Sequence, residues 1–594
     1  MGYHGSTPTL TLSLSMIDKL QVARILKEVS LLLQLRGESA FKARAYEIAA
    51  DRMLGHEGNL QLLVESSRLT DLPGIGPSLA HTITEIVRTG ALNSHRILKD
   101  EFPTSLFSLL SVPEIGAKKA ALLWKMLGVS DLDSLEAACQ DGSVQTLKGF
   151  GPKSSQKLLA AVHRQRTTQG QFLLGQVLPI AEGMIRQLNA LPCVENASLA
   201  GSARRWQETV SDIDLVVGSE NSTQVFRAFS GSSGVDHLVG QGESKCSVRL
   251  KEGNLQVDLR VLPPGDFATA LHHFTGSKAH HIRLRGRGKA QNLKISEWGV
   301  FQGDGGEKLE IEDESALYDA LGMQYIPPEL REDSGEFEAA LEGRIPSNLI
   351  QESDITGIIH SHTEWSDGRH SIREMALAAL RAGYQYLTVT DHSQSAFYAG
   401  GVKADDLPRQ WDEIDRVNEE LPGISILKGS EVDILENGDL DFPQSLLERL
   451  DVVIGSIHQR FKMNEEQMTH RVLKAFDNPC LDILGHPTGR LILKRLPFDL
   501  QIDKIFDKAA RHRIALELNG SPHRLDLSAS HARRASTFGV QFVLSTDAHS
   551  IAELGNVRFA AATGRRAWIT RNQVLNALPK NDFLASLRRV ARSH

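Results

Sequence analysis

The sequence predicts a multidomain protein that passes from an all-α N-terminal region through an α+β middle to an α/β C-terminal third. Three observations carry that reading. Apolar residues recur at helical spacing from residue 16 to about 165, the middle turns to strands bearing paired acids, and the last third alternates short β-type runs with helical stretches. At 594 residues the chain is too long for one core. Its 41% hydrophobic and 23% charged content is ordinary for soluble globular protein, and no apolar run approaches a membrane span. Residues 1–15 lack a basic start and a clear cleavage site, so they read as a disordered leader and not a signal peptide. Cys139, Cys193, Cys246 and Cys480 are scattered without metal or disulfide spacing, which fits a reducing cytoplasm. The net charge of −7 argues mildly against nucleic acid, but whole-chain charge is a poor guide where basic stretches are local.

Three short turns punctuate the helical region: Leu72-Pro73-Gly74-Ile75-Gly76, Val112-Pro113-Glu114-Ile115-Gly116 and Leu147-Lys148-Gly149-Phe150-Gly151. Each leads into a new helix, an internal repeat of the helix-hairpin-helix kind. A Gly-apolar-Gly turn exposes amides at a helix N-terminus, where they can hold a DNA phosphate without reading bases. Gly74, Gly76, Gly116, Gly149 and Gly151 are therefore candidate DNA-binding positions, with Lys118, Lys119 and Lys153 adding phosphate attraction. A single copy would be better read as a helix linker using Gly as a C-terminal stop; three copies favour DNA. The middle copy has Glu114 where the first Gly is expected.

In the middle region, Asp212-Ile213-Asp214-Leu215-Val216-Val217 reads as a strand, on which residues two apart share a face. Two carboxylates side by side call for a cation, and oxygen-only ligands favour Mg²⁺ or Mn²⁺. Asp258, in the strand Gln256–Val261, is the natural third member of a two-metal site for nucleotidyl transfer. Gly201-Ser202, followed by Arg204 and Arg205, reads as a turn suited to phosphate oxygens. His273-Phe274-Thr275-Gly276-Ser277 and a basic run through Arg283, Arg285, Arg287 and Lys289 could hold nucleotide and template.

Residues 16 to about 335 resemble a family X DNA polymerase, the class that includes DNA polymerase β, on the order and spacing of the Gly-Ser turn, the Asp-Ile-Asp pair and the Phe274-Thr275-Gly276 turn. The resemblance implies a lyase-like domain (16–95), fingers (96–168), palm (169–270) and thumb (271–335); the acidic, Pro-containing composition around 336–353 reads as a linker packing across domains. The resemblance also implies that Asp212, Asp214 and Asp258 ligate two metals and that Ser202 and Arg205 touch the nucleotide's phosphates, with Gly201 beside them. Phe274 and Gly276 would lie against its sugar. Departures stand out. Thr82 occupies the position of the lyase lysine, and a threonine forms no Schiff base. Among the nucleotide-binding positions the resemblance implies, Ser211 replaces a Gly before the acid pair, His273 a Tyr and His281 an Asn that contacts the incoming base; Trp298 replaces a further Tyr.

From Asp354 onward the alternation predicts a parallel barrel or a doubly wound sheet. Nearly every β-type run ends on His, Asp or Glu, and in α/β barrels functional residues collect at those C-terminal strand ends. Any one of these histidines is better read as a surface or satisfied core group; so many on one rim would be costly unless they bound several metals. Mixed His and carboxylate ligands suit Zn²⁺, Mn²⁺ or Fe²⁺ better than Mg²⁺. The stretch 354–594 is similar to the PHP (polymerase and histidinol phosphatase) domain. That resemblance implies a distorted (β/α)₇ barrel with three metals held by His360, His362, Asp367, His392, Glu431, His458, His486, Asp547 and His549, acting in phosphoester hydrolysis. The whole chain is similar to bacterial and archaeal repair polymerases. The expectation is a cytoplasmic, monomeric DNA repair enzyme with no membrane partner, filling gapped or nicked DNA from deoxynucleoside triphosphates and trimming 3′ ends as a 3′ to 5′ exonuclease, with cleavage at abasic sites or removal of 3′-phosphates as alternative actions of the same site. The competing readings are a DNA-binding PHP nuclease with a weak palm, and a polymerase with a structural PHP domain.

Overall fold

The computed structural model describes residues 19–55, 60–72, 74–112, 115–168, 170–303 and 306–588; the expected leader, Pro73 and Glu114 lie outside the described residues. The chain forms two compact units, 1–169 and 170–594.

The first unit is helical. Val22, Leu26, Val29 and Leu33 of the helix Lys19–Arg36 recur every three or four residues and bury one face against Ile83, Ile86, Leu109 and Leu123. Three times a short 3₁₀ segment leads through a glycine turn into a helix: Leu69–Asp71 into Pro77–Thr89, Thr104–Ser111 into Ala117–Leu127, and Ser143–Thr146 into Pro152–Thr168. In each turn the middle residue (Ile75, Ile115 or Phe150) is buried and its N–H donates to a carbonyl three residues back (Leu72, Val112 or Leu147) at 3.1 Å. Gly74 and Gly149 take φ of 86° and 94°, where a side chain would be strained.

The second unit begins with a five-stranded sheet in the order Asn196–Leu199, Asp212–Gly218, Gln256–Leu262, Lys245–Leu250, Val235–Gln241. Period-two alternation sends Ile213, Leu215 and Val217, with Val257, Leu259 and Val261, into a core shared with the helices Leu174–Asn189 and Ser222–Ser230. Next come the helices Phe267–Thr275 and Lys278–Ala290 and a small antiparallel sheet. The stretch 336–353, expected to be a linker packing across domains, packs into the core of this region. It contains the helix Glu336–Leu341, whose Phe337, Ala339 and Ala340 join Leu284, Val300, Leu317 and Tyr318 in one core. Its acidic composition hid apolar residues spaced for a single helical face.

The last third is a closed barrel of seven parallel strands: Gly357–Ser361, Tyr386–Val389, Ser425–Asp433, Val452–Ser456, Ile483–Leu484, Ala515–Asn519 and Phe542–Ala548. Each strand sends an apolar residue inward (Ile359, Tyr386, Leu427, Ile454, Ile483, Ala515, Val543), and Phe583 and Leu587 from the C-terminal region join this cluster. Helix faces bearing Met375, Trp411, Val472 and Phe506 cover the outside. No helix among the described residues is long and apolar enough to cross a membrane.

Candidate active sites

In the sheet of the second unit, Asp214 lies directly opposite Asp258 in a parallel pair of strands, with Asp212 two residues before on the same face. One oxygen from each of the three fits within 4.8 Å of the others. Burial, then the neighbouring Asp212 and Asp258, push Asp214 up to about 7. Burial and Asp258 also raise Asp212. Asp258 goes the other way: although burial opposes it, the Lys245 ammonium at 2.7 Å, with Ser247 and Gln256, holds it below the ordinary carboxylate range. Three crowded acids with one lysine between them form an oxygen donor set that fits divalent cations.

Gly201-Ser202, expected as a turn, opens a one-turn helix, Gly201–Arg204. Gly201 sits at φ 62°, and a Cβ there would collide with the Asp214 carboxylate. Beside it, a cavity of about 530 Å³ is lined by Ser202, Arg205, Asp212, Asp214, Phe274 and His281, with His273, Gly276 and Arg285 also on its wall. Ser211 is exposed and outside that lining. The two arginines are already engaged. Arg205 donates to Glu332 at 2.8 Å and to the Thr275 carbonyl at 2.5 Å, while Arg204 forms a fork on Glu314 at 2.6 and 3.0 Å. Glu314 also receives the buried Arg331 at 2.6 Å. His273 and His281 meet edge to face at 4.5 Å; burial, then His273, push His281 down to about 4, leaving a neutral ring.

The glycines Gly74, Gly76, Gly116, Gly149 and Gly151 and the side chain of Lys153 are exposed in the first unit, and Arg285 is exposed in the second. In each hairpin the middle residue is buried while the glycine that precedes the following helix (Gly76, Gly116 or Gly151) is exposed. Thr82, by contrast, is buried and returns its hydroxyl to the Ser78 carbonyl.

At the C-terminal ends of the barrel strands the structure brings all nine predicted His, Asp and Glu residues together. They form overlapping groups: His362, Asp367, His392 and His549; His360, His362 and Asp547; and His392, Glu431 and His458. His486 closes the set through Nε2, 2.8 Å from Glu431. Glu431 is central, with Nδ1 of His392 at 2.7 Å and Nε2 of His458 at 3.2 Å. The His362 ring stacks on those of His392 and His549 at 4.4 and 4.3 Å. Against the cost of burial, His458 and His360 hold Glu431 well below the carboxylate range, and Glu431 and Asp433 raise His458 to about 9. Burial, then His549 and His392, push His362 down to about 3. Nε2 of His360, both ring nitrogens of His362 and Nδ1 of His486 are buried without a hydrogen-bond partner among the described residues. Buried imidazoles left so are the arrangement metal ligands require, and the donor set fits.

Three of these residues depart from the backbone a side chain prefers: His360 at φ 65°, His486 at φ 24° and Asp547 at φ 51°. At His360 the strand register also shifts, so that Ile359 joins the interior apolar cluster and the very next residue reaches the site.

Sequence reasoning assigned no role to a surrounding set of acids. Glu517 accepts from His360 Nδ1 at 2.5 Å and from Ser545 at 2.6 Å, and also from the His486 amide. Asp433 takes His458 Nδ1 at 2.9 Å. Asp391 fastens the loop that carries Asp367, accepting from the Thr363 amide at 2.7 Å, Ser366 at 2.6 Å and Gln410 at 2.8 Å. Such acids fix the tautomer and aim of an imidazole. The signal was a charged residue inside an otherwise apolar strand, as at Glu517.

Residues 18–92 match the helix-hairpin-helix domain, 107–164 the SAM-like helix-hairpin-helix tandem, 270–332 the DNA polymerase beta thumb and 359–521 the PHP domain. DNA polymerase/3′-5′ exonuclease PolX of Bacillus subtilis (strain 168) is 37% identical over 574 residues, 96% of this chain and 100% of the relative. A probable phosphatase of Thermoanaerobacter sp. (strain X514) is 31% identical over 234 residues, 36% of this chain and 88% of the relative. One from Shewanella loihica is 28% identical over 242 residues, 38% of this chain and 92% of the relative. Identity that runs the length of a PolX, across hairpins, thumb and barrel alike, makes this chain a member of the family X DNA polymerases that carry a PHP domain.

Proposed function

We propose that this chain is a DNA repair enzyme that fills gaps by template-directed synthesis at the palm and hydrolyses phosphodiesters at the barrel, trimming 3′ ends in the 3′ to 5′ direction. The observation that carries the reading is the presence, within one compact unit, of three clustered carboxylates beside a nucleotide-sized cavity and of nine converging His, Asp and Glu side chains at the mouth of a closed barrel. Its substrates are gapped or nicked DNA and deoxynucleoside triphosphates.

Asp212, Asp214 and Asp258 would hold two Mg²⁺ or Mn²⁺, and the barrel ligands three ions of Mn²⁺, Zn²⁺ or Fe²⁺. When bound, these ions supply Lewis-acid polarisation of phosphate oxygens and acidify a coordinated hydroxyl or water. The chain's own groups do the rest. The amides of the helix Gly201–Arg204 and the Ser202 hydroxyl face the triphosphate, Phe274 and Gly276 border its sugar, and Lys245 keeps Asp258 ionised and aimed. In the barrel, Glu517 and Asp433 hold the imidazoles of His360 and His458 in one tautomer. The exposed hairpin glycines bind DNA phosphates without reading sequence. Thr82 leaves no amine for Schiff-base lyase chemistry.

A second reading of the barrel, removal of a 3′-phosphate, is favoured by its likeness to proteins named as probable phosphatases. Full-length protein is given gapped DNA ending in a mismatched 3′-hydroxyl nucleotide or in a 3′-phosphate, with Mg²⁺ and Mn²⁺ compared. Excision of the mismatch followed by filling is the expected result; filling with no excision from either end would leave the barrel without its assigned chemistry.

A further inference from the structure

The mouth of the barrel carries two aromatic side chains that the ligand cluster does not use. Phe397 is 78% and Tyr398 66% exposed, and among the described residues no other two aromatic side chains this exposed adjoin in the chain. Exposing two large rings on a surface has a cost that the fold does nothing to avoid.

The segment that carries them is held firmly on both flanks. Val402 N–H donates to the His392 carbonyl at 2.8 Å, and Ala396 and Ala399 close successive turns at 3.0 and 2.9 Å. Ser395 is bound through its amide and hydroxyl to Asp441, at 2.8 and 2.5 Å, and its carbonyl accepts from Gln459 at 2.7 Å. The Tyr398 ring stands 6.2 Å from the rings of both His392 and His458. Arg495 belongs to the loop that follows His486, whose carbonyl accepts from the Gly489 N–H at 2.9 Å. The Arg495 guanidinium is set over Phe461 at 4.1 Å and donates to the Gly489 carbonyl at 2.9 Å. Rigid aromatic faces beside a fixed cation are the elements with which proteins hold single-stranded nucleic acid: rings for bases, guanidinium for backbone. A small phosphomonoester would leave both rings uncovered.

We propose that Phe397 and Tyr398 form a stacking platform for the unpaired bases at the 3′ end of a DNA strand, with Arg495 on the backbone, so that the last phosphodiester is delivered to the ligand cluster. This rests on the reading of the barrel as a nuclease. It makes these two residues binding determinants of the end that is trimmed.

The test compares a labelled single-stranded oligonucleotide with the same strand carrying two abasic residues at its 3′ end, using the full chain with Mn²⁺. Wild type should degrade the base-bearing end about tenfold faster or more. That ratio should fall to about one in the Phe397→Ala/Tyr398→Ala double variant and persist in Tyr398→Phe, which keeps the ring. A wild-type ratio near one, a ratio that survives in the double variant, or its equal loss in Tyr398→Phe would each overturn the platform. Cleavage of neither end by wild type would instead strike the nuclease reading itself, and the platform with it.

Discussion

In the barrel, the carboxylate of Glu431 is fully buried and ringed by His360, His392, His458 and His486, whereas in the palm Asp212, Asp214 and Asp258 sit half-buried and share the charge of one lysine. The difference follows from topology. A closed barrel converges seven strand ends on one point, so acids and imidazoles drawn from distant parts of the chain balance one another. The palm draws its acids from two adjacent strands, and burial, then mutual repulsion, raises two of the three. The barrel site is built by the fold; the palm site is completed by what it binds.

The sharpest way to break that comparison is reciprocal inactivation. Asp258→Ala should lower primer extension at least about a thousandfold while Mn²⁺-dependent trimming persists, and His360→Ala should do the reverse. Loss of both activities in either variant would mean that the two centres are not separate machines. Next in size, Gly201→Ala should cut extension by about a hundredfold, because the added Cβ meets the Asp214 carboxylate. Single-turnover incorporation measures it, and a near-normal rate would show that the short helix can yield.

For the barrel, Glu517→Gln should lower trimming about tenfold to a hundredfold by releasing His360 from its fixed orientation. Because the change is isosteric, metal affinity read by titration should weaken in parallel; unchanged affinity would deny Glu517 its positioning role. The smallest effect is expected at Glu332→Gln. Freed from its ion pair, Arg205 should favour the triphosphate by about threefold, seen as a lower KM with little change in kcat.

Much of this was legible in the residues themselves. The β-type runs ending at His360, His392, His458 and His486 stood out because strand length and alternation are local properties, and a polar residue at the end of an apolar run is visible without knowing the partners. The paired Asp212 and Asp214 were legible for the same reason. What the sequence hid was pairwise. Nothing local says that Arg205 spends its guanidinium on Glu332, 127 positions away, or that Glu517 reaches back 157 positions to His360. The helix Glu336–Leu341 was masked by its acids, whose chemistry belongs to other elements: Glu336 pairs with the buried His280 at 2.8 Å. Gly201–Arg204 read as a turn because one helical turn and a β-turn share their small residues.

The left-handed backbone at His360, His486 and Asp547 has a consequence beyond chemistry. Such conformations cost on the order of 1–3 kcal/mol each for residues with a Cβ, and only the surrounding structure holds them. The fold would rest more easily with glycine or asparagine at these places, so the centre is kept only while selection for hydrolysis renews it. Lineages that abandon the chemistry should drift first at these three positions, before the rim's other ligands decay, and that order of loss would let a silent barrel be told from a working one by its residues alone.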